Sequence, residues 1–331
     1  MTFKLAWIGC GTHATEMLLS QWLRMDVQLV ALCDNNKTNL QSAARQFGVK
    51  RLYSNAQEMI GSGNIDGIGM AVGPQQHYEF TLAALKQGLP VFMEKPPAST
   101  AAQALQIMRA SEKAKQPVLV GFMKRYSIGN RMAHTIIESG DFGNVFGLTG
   151  YYMTAPGYFE GSVDYSNFFL HHCIHYMDLV SHLVSPVSNM QARKVESKPG
   201  SLLFHVHLDF DSGAIGTIAM GTLQSRGAPV ERVELMGDHQ RIEVDNVINI
   251  QWHRNPEFKV GDPLARLMDS QDTLVWRPNF TAAANEDVKG YHALLSDVVP
   301  AMMGEQTPAP DINDAVVAMQ RLETLRGLLN L

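Results

Sequence analysis

The chain predicts an α/β domain built on a doubly wound parallel sheet, followed by an α+β domain with a large, mostly antiparallel sheet that is open on one face. Three observations carry this. Over residues 1–121 short apolar or β-branched runs alternate with amphipathic helical patterns, the rhythm of βαβ units. A glycine-rich turn, Gly9-Cys10-Gly11-Thr12-His13-Ala14, stands directly between the first run and the first helical pattern. From Met190 onward, strand-like runs succeed one another with no helix between them, as an antiparallel sheet requires.

In order, the first domain offers strands at Lys4 to Gly9, Val27 to Cys33, Arg51 to Tyr53, Gly67 to Val72, Pro90 to Glu94 and Pro117 to Gly121. Helical patterns fall at Thr15 to Arg24, Lys37 to Phe47, His77 to Gln87 and Thr100 to Lys115, with Gly48 and Gly88 placed as helix C-terminal glycines. After residue 121 the rhythm changes. A helix at Asn130 to Ser139, a long strand from Val145 to Met153 and a histidine-rich helix from Asn167 to Leu183 come first. Runs at Met190 to Lys198, Leu202 to Phe210, Ala214 to Leu223, Arg232 to Gly237 and Gln240 to Val244 follow, and helices at Val288 to Met303 and Asp311 to Leu329 close the chain. The domains expected are residues 1–121, for a dinucleotide, and 122–331, for substrate and self-association.

Composition narrows the partners. A net charge of -5 offers no general attraction for nucleic acid or anionic membrane, so a small molecule is the expected ligand. The first strand begins almost at Met1, which leaves no room for a secretory signal, and no apolar run is long enough for a bilayer. Cys10, Cys33 and Cys173 follow no metal-ligand spacing and read as reduced thiols of a cytoplasmic protein.

The glycine turn matches G-x-G-x-x-G/A in the strand-to-helix context the motif needs. Gly9 permits the tight turn, Gly11 lets backbone approach a pyrophosphate, and Ala14 keeps helix and sheet close; this is the Rossmann arrangement. Asp34, with Asn35 beside it, ends the second strand, where a carboxylate accepts hydrogen bonds from ribose hydroxyls and repels a 2′-phosphate. NAD is favoured; Lys37 softens the repulsion and keeps NADP admissible. Lys95, in Glu94-Lys95-Pro96, leaves the fifth strand where a ligand of such a sheet collects. By residue type alone His171, His172 and His175 admit three readings: hydrogen-bonded core histidines, zinc ligands, or acid–base groups. With two ligands at helical spacing and no clear third, no metal is expected.

The glycine turn, Asp34, Gly73-Pro74 followed by His77, Glu94-Lys95-Pro96, Val120-Gly121-Phe122 with Arg125-Tyr126, Gly140-Asp141-Phe142-Gly143 and Glu231 to Gly237 occur in the order in which the Gfo/Idh/MocA oxidoreductases carry such motifs. The chain resembles that family over essentially its whole length. The resemblance implies that Lys95 touches the substrate hydroxyl beside the nicotinamide and that the bond before Pro96 is cis. It adds Val72, Gly73, Pro74, His77 and Glu94 to the cofactor side, with Gly9, Cys10, Gly11, Thr12, His13, Ala14, Asp34, Asn35, Lys37 and Lys95. It places Arg125, Tyr126, His171, His172 and His175 with the substrate.

The family's D-x-x-x-H-x-x-D motif falls on His171, His175 and Asp178, so the catalytic histidine is His175 and His171 stands where the family keeps an acid. His171 and His175, four apart, share one helix face. The activity implied is NAD(P)-dependent hydride transfer at a hydroxyl or carbonyl of a sugar, polyol or related compound. Lys95 and His175 would assist proton transfer, with His171 as a third catalytic candidate. Two alternatives keep the same fold: a catalytically silent dinucleotide-binding regulator, and glycosidic cleavage in which bound NAD is recycled. Tyr151, Tyr152, Tyr158 and Phe159 read as core or as a sugar-stacking platform. The open face of the second sheet predicts a homodimer or homotetramer.

Overall fold

The computed structural model describes residues 2–155, 165–225, 229–254, 273–277, 287 and 289–331. The chain divides into two compact units, Met1–Met123 with Tyr291–Glu323, and Lys124–Gly290 with Thr324–Leu331. The chain enters the second unit two residues later than the sequence suggested. The larger difference is at the other end, where the helix Tyr291–Met302 and most of Ile312–Leu329 rejoin the first unit. Hydrogen bonding is the reason: Val120 N–H donates to the Pro310 carbonyl, Leu119 bridges Asp311, and the Glu323 carboxylate accepts the N–H of Ala101 at 2.7 Å. A linear reading of sequence has no signal for such a return.

In the first unit, strands β1 (Phe3–Ile8), β2 (Val27–Cys33), β3 (Arg51–Tyr53), β4 (Gly67–Met70), β5 (Val91–Met93) and β6 (Val118–Val120) form a parallel sheet in the order β3-β2-β1-β4-β5-β6. That is the doubly wound Rossmann order, whose direction reverses between β1 and β4. Every residue of β4, β5 and β6 is buried, because such a sheet is covered on both faces. The helix Lys37–Phe47 starts where Asn36 accepts the N–H groups of Thr38 and Asn39, and stops at Gly48 in the left-handed region. A short helix, Ala56–Ile60, was not anticipated; its start is fixed by the Asn55 side chain rather than by any long apolar period.

In the second unit, strands β7 (Gly147–Met153), β8 (Val187–Glu196), β9 (Leu202–Phe210), β10 (Ile215–Gly221), β11 (Val230–Met236), β12 (Arg241–Asp245), β13 (Asn249–His253) and β14 (Thr273–Trp276) pair in the order β14-β13-β12-β11-β7-β10-β9-β8. Neighbours run antiparallel except β10 and β7, which are parallel. Along β9, Leu202, Phe204, Val206, Leu208 and Phe210 are buried while His205, His207 and Asp209 are exposed, so one face carries the core. Phe204 stacks on Phe169 at 5.7 Å and meets Phe168 edge-on, which seats the histidine helix on that buried face. The other face exposes Tyr151, Ile215 and Met236. β13 and β14 extend the sheet beyond the strands read from sequence. Among the described residues no helix is long and apolar enough to cross a membrane. Tyr158, Phe159 and Val288 lie outside the described residues.

Candidate functional site

The glycine turn emerges from the carboxyl end of β1. Gly9 has φ +92°, and a Cβ there would stand 2.2 Å from the Ala71 carbonyl oxygen, so only glycine lets the turn press against the end of β4. A Cβ on Gly11 would meet nothing within 4 Å, leaving open the approach a pyrophosphate needs. The chain then winds into a helix whose Ala14–Leu19 stretch has i→i+5 bonding before Ser20–Trp22.

Beside this turn lies a cavity of about 490 Å³ bordered by Gly9, Gly11, Asp34, Asn35, Val72 and Gly73, all anticipated. Asp34 accepts the Cys10 N–H and the Asn36 N–H, each at 2.7 Å, one on each oxygen. A carboxylate has about four acceptor positions, so both oxygens retain capacity for a ribose diol. The cavity at the β1/β4 switch point, the open Gly11 and the fixed acid fit a dinucleotide.

The cavity border and the expected cofactor set overlap in part. Asn39, Ser54, Gln76 and Phe80 border the same cavity and were missed; Ser54 follows the end of β3, and Asn39 lies on the first helical turn beyond Asn36, signals weaker than a glycine motif. Lys37 is exposed and is not part of the lining, nor are Cys10, Thr12, His13, Ala14, Pro74, His77, Glu94 and Lys95. Cys10 is buried, and burial, then Asp34 and Cys33, push its thiol up to about 12, so it remains protonated and unreactive. His77 is fully buried: Nε2 accepts the Val72 N–H at 3.1 Å and Nδ1 lies 2.8 Å from the Pro96 carbonyl, so backbone rather than cofactor takes both nitrogens.

At the end of β5, Glu94 N–H donates to Met70 and the Lys95–Pro96 bond is cis, as the resemblance implied. The Glu94 carboxylate is buried, accepts the Lys95 N–H at 3.2 Å and lies 3.6 Å from His13 Nε2. His13 is half-exposed, and its ring meets Tyr291 edge-on at 5.8 Å. Glu94 therefore holds its own loop.

In the second unit, the predicted histidine helix runs as Tyr165–Phe168, a π-wound Phe169–Cys173 and Ile174–Leu183. π segments inside α-helices are frequent at functional sites. His171 and His172 are half-buried on the π segment; His175 begins the following α-helical turn and is buried at 7% exposure. His172 Nδ1 lies 2.6 Å from the Tyr152 hydroxyl. Arg125, expected at the substrate, pairs with Asp178, with Nε 2.8 Å from one carboxylate oxygen and a second bond from the terminal nitrogen. Both side chains are largely withdrawn from water, so breaking the pair would strand a buried charge. Lys124 pairs with Glu231, its ammonium 5.6 Å from the ring centres of Tyr152 and Tyr176. Tyr152 thus belongs to this cluster. Tyr126 is half-buried. His182 stacks on His134 at 4.0 Å; burial, then Arg125 and His134, push it down to about 3.

The fold and the turn define a two-unit protein whose first unit is an NAD-binding Rossmann fold. A family model described as "Oxidoreductase family, NAD-binding Rossmann fold" matches residues 3–122, and a second, "GFO/IDH/MocA C-terminal domain", matches residues 130–243. Together they take in more than half of the chain, which belongs to the Gfo/Idh/MocA family. The chain is 35% identical over 147 residues to an inositol 2-dehydrogenase of Klebsiella pneumoniae, covering 43% of each protein. It is 29% identical over 147 residues to a D-glucoside 3-dehydrogenase of Escherichia coli, covering 44% of this chain and 42% of that one. The matched stretch thus spans less than half the length of these relatives. A dehydrogenase structure from Chromobacterium violaceum superposes with a TM-score of 0.88 over 99% of this chain and 95% of its own, at 21% identity, and shows the shared fold.

Proposed function

We propose that this protein is an NAD-dependent oxidoreductase acting on a CH–OH group or its carbonyl in a sugar, polyol or related compound. The observation that carries this is the cavity at the carboxyl ends of β1 and β4, bounded by the glycine turn and Asp34, in the same sheet whose β5 delivers Lys95. Relatives named for inositol and glucoside oxidation support the substrate class.

Bound nicotinamide would accept or supply the hydride. The residues do the rest. Gly9 and Gly11 seat the pyrophosphate on backbone, and Asp34 takes the ribose hydroxyls. Lys95 places a positive charge against the substrate oxygen and stabilises charge that develops there. His175 takes or returns the hydroxyl proton, assistance typically worth about 10² to 10⁴-fold. His171 and His172 contribute polar contacts to the substrate, with Tyr152 setting the orientation of His172. Arg125 helps fix this part of the second unit through its pair with Asp178.

A homodimer or homotetramer formed through the exposed sheet face, in the cytoplasm, completes the proposal; Tyr151, Ile215 and Met236 supply the apolar surface. The test follows reduced-cofactor absorbance while inositols, aldoses and sugar acids are offered, with Lys95→Ala and His175→Ala beside the parent protein. Each substitution is expected to lower kcat by about 10²-fold or more. Undiminished turnover in both would remove the assigned roles, and tight NAD binding with no turnover on any polyol would favour a regulatory protein.

A further inference from the structure

We propose that His77 is a positioning residue that couples the cofactor cavity to the lysine loop, so that filling the cavity orders Lys95. The inference rests on the dehydrogenase reading above. Its two contacts fix the imidazole's state. The Pro96 carbonyl can only accept, so Nδ1 carries the hydrogen; the Val72 N–H can only donate, so Nε2 carries the lone pair. His77 is therefore a neutral ring with both nitrogens engaged, at 0% exposure, on the first turn of the helix Pro74–Lys86.

The two backbone segments it joins have different duties. Val72 borders the cavity and stands against the glycine turn, where a Cβ on Gly9 would come within 2.9 Å of Val72 Cγ1. Pro96 adjoins Lys95. β4 and β5 are neighbours, but their ladder ends at Met70 and Met93, before either loop begins. Beyond the ladder Glu94 N–H still reaches Met70, and past that bond His77 spans the gap from Val72 to Pro96 with one rigid ring. A ring that only filled core space would have no need of a donor on one edge and an acceptor on the other.

The two halves of the ring can be removed separately. The amide of Asn occupies the place of Nδ1 and can keep the bond to Pro96; the amide of Gln occupies the place of Nε2 and can keep the bond to Val72. The experiment is amide hydrogen exchange of the full chain, parent, His77→Asn and His77→Gln, with and without NADH, together with NADH affinity by fluorescence. In the parent, NADH is expected to slow exchange about 10-fold both in residues 71–74 and in residues 95–99. In His77→Gln and in His77→Asn the protection at 71–74 persists on NADH binding, while that at 95–99 falls to less than about 3-fold. Without NADH, only His77→Asn exposes the Val72 amide.

NADH protecting 95–99 in both variants as in the parent would overturn the coupling. So would failure of both variants to fold, since His77 would then be an ordinary core residue. A parent that binds no NADH would instead overturn the dehydrogenase reading.

Discussion

The two sheets bury themselves by different rules, and chemistry collects in different places as a result. In the parallel sheet Val91, Phe92 and Met93 are all at 0% exposure, because helices cover both faces. Side chains in mid-strand are then committed to the core, and the strands contribute candidate functional groups at their ends: Gly9 after β1, Asp34 after β2, Val72 after β4, Lys95 after β5. In the antiparallel sheet β9 alternates Phe204 with His205 and Val206 with His207. One face is core, the other is free for contact, and candidate chemistry sits on the helix packed against the core face.

The largest effects separate these rules directly. Phe204→Ala and Phe92→Ala should each cost about 3–5 kcal/mol in urea unfolding. Their neighbours should diverge: Val91→Ala remains costly, whereas His205→Ala stays within about 0.5 kcal/mol. Equal costs for Val91 and His205 would break the comparison. Gly9→Ala comes next, at about 1–3 kcal/mol, since it combines a left-handed φ with a 2.2 Å clash, and it should abolish measurable NAD binding in calorimetry.

Asp34→Ser should cost about 1–2 kcal/mol, because the Cys10 and Asn36 N–H groups lose a carboxylate acceptor, and raise the NADP-to-NAD affinity ratio by about 10-fold or more, because it removes the charge that repels a 2′-phosphate. An unchanged ratio would show that the acid only ties the Cys10 and Asn36 amides.

His182 sharpens the second unit's side. Its folded-state value lies near 3, below the ordinary 6.5, so the neutral ring's stabilisation is complete above pH 6.5. Below that the unfolded chain takes up a proton that the folded chain does not, and stability falls as pH drops from 6.5 toward 3. Replacing His182 with Phe should flatten this limb of Tm against pH by a few degrees. The smallest effect on the subunit is expected from Ile215→Asp on the exposed face, within about 0.5 kcal/mol, while light scattering should report a lower mass if that face joins copies.

Much of the cofactor side was legible. Gly9, Gly11 and Asp34 could be read because backbone geometry and ribose chemistry demand particular residues at fixed spacing after a strand. The substrate side was less so. Arg125 looked available, yet it is paired with Asp178, 53 positions away. His77 looked like a cofactor contact, yet it spans two loops 5 and 19 positions distant. No local pattern announces partners at such separations.

By itself, then, the sequence determined the order and kind of most elements, the alternation that gives the second sheet one buried face, and the glycine turn with its acid. These follow from side-chain period and backbone sterics, which act over a few residues. Tertiary structure alone decided that the chain's last helices return to the edge of β6, that Asp178 holds Arg125, that the Cys10 thiol is sealed, and that His77 bridges Val72 and Pro96. Each depends on which distant groups are brought together and on how much water is left around them, and packing fixes both.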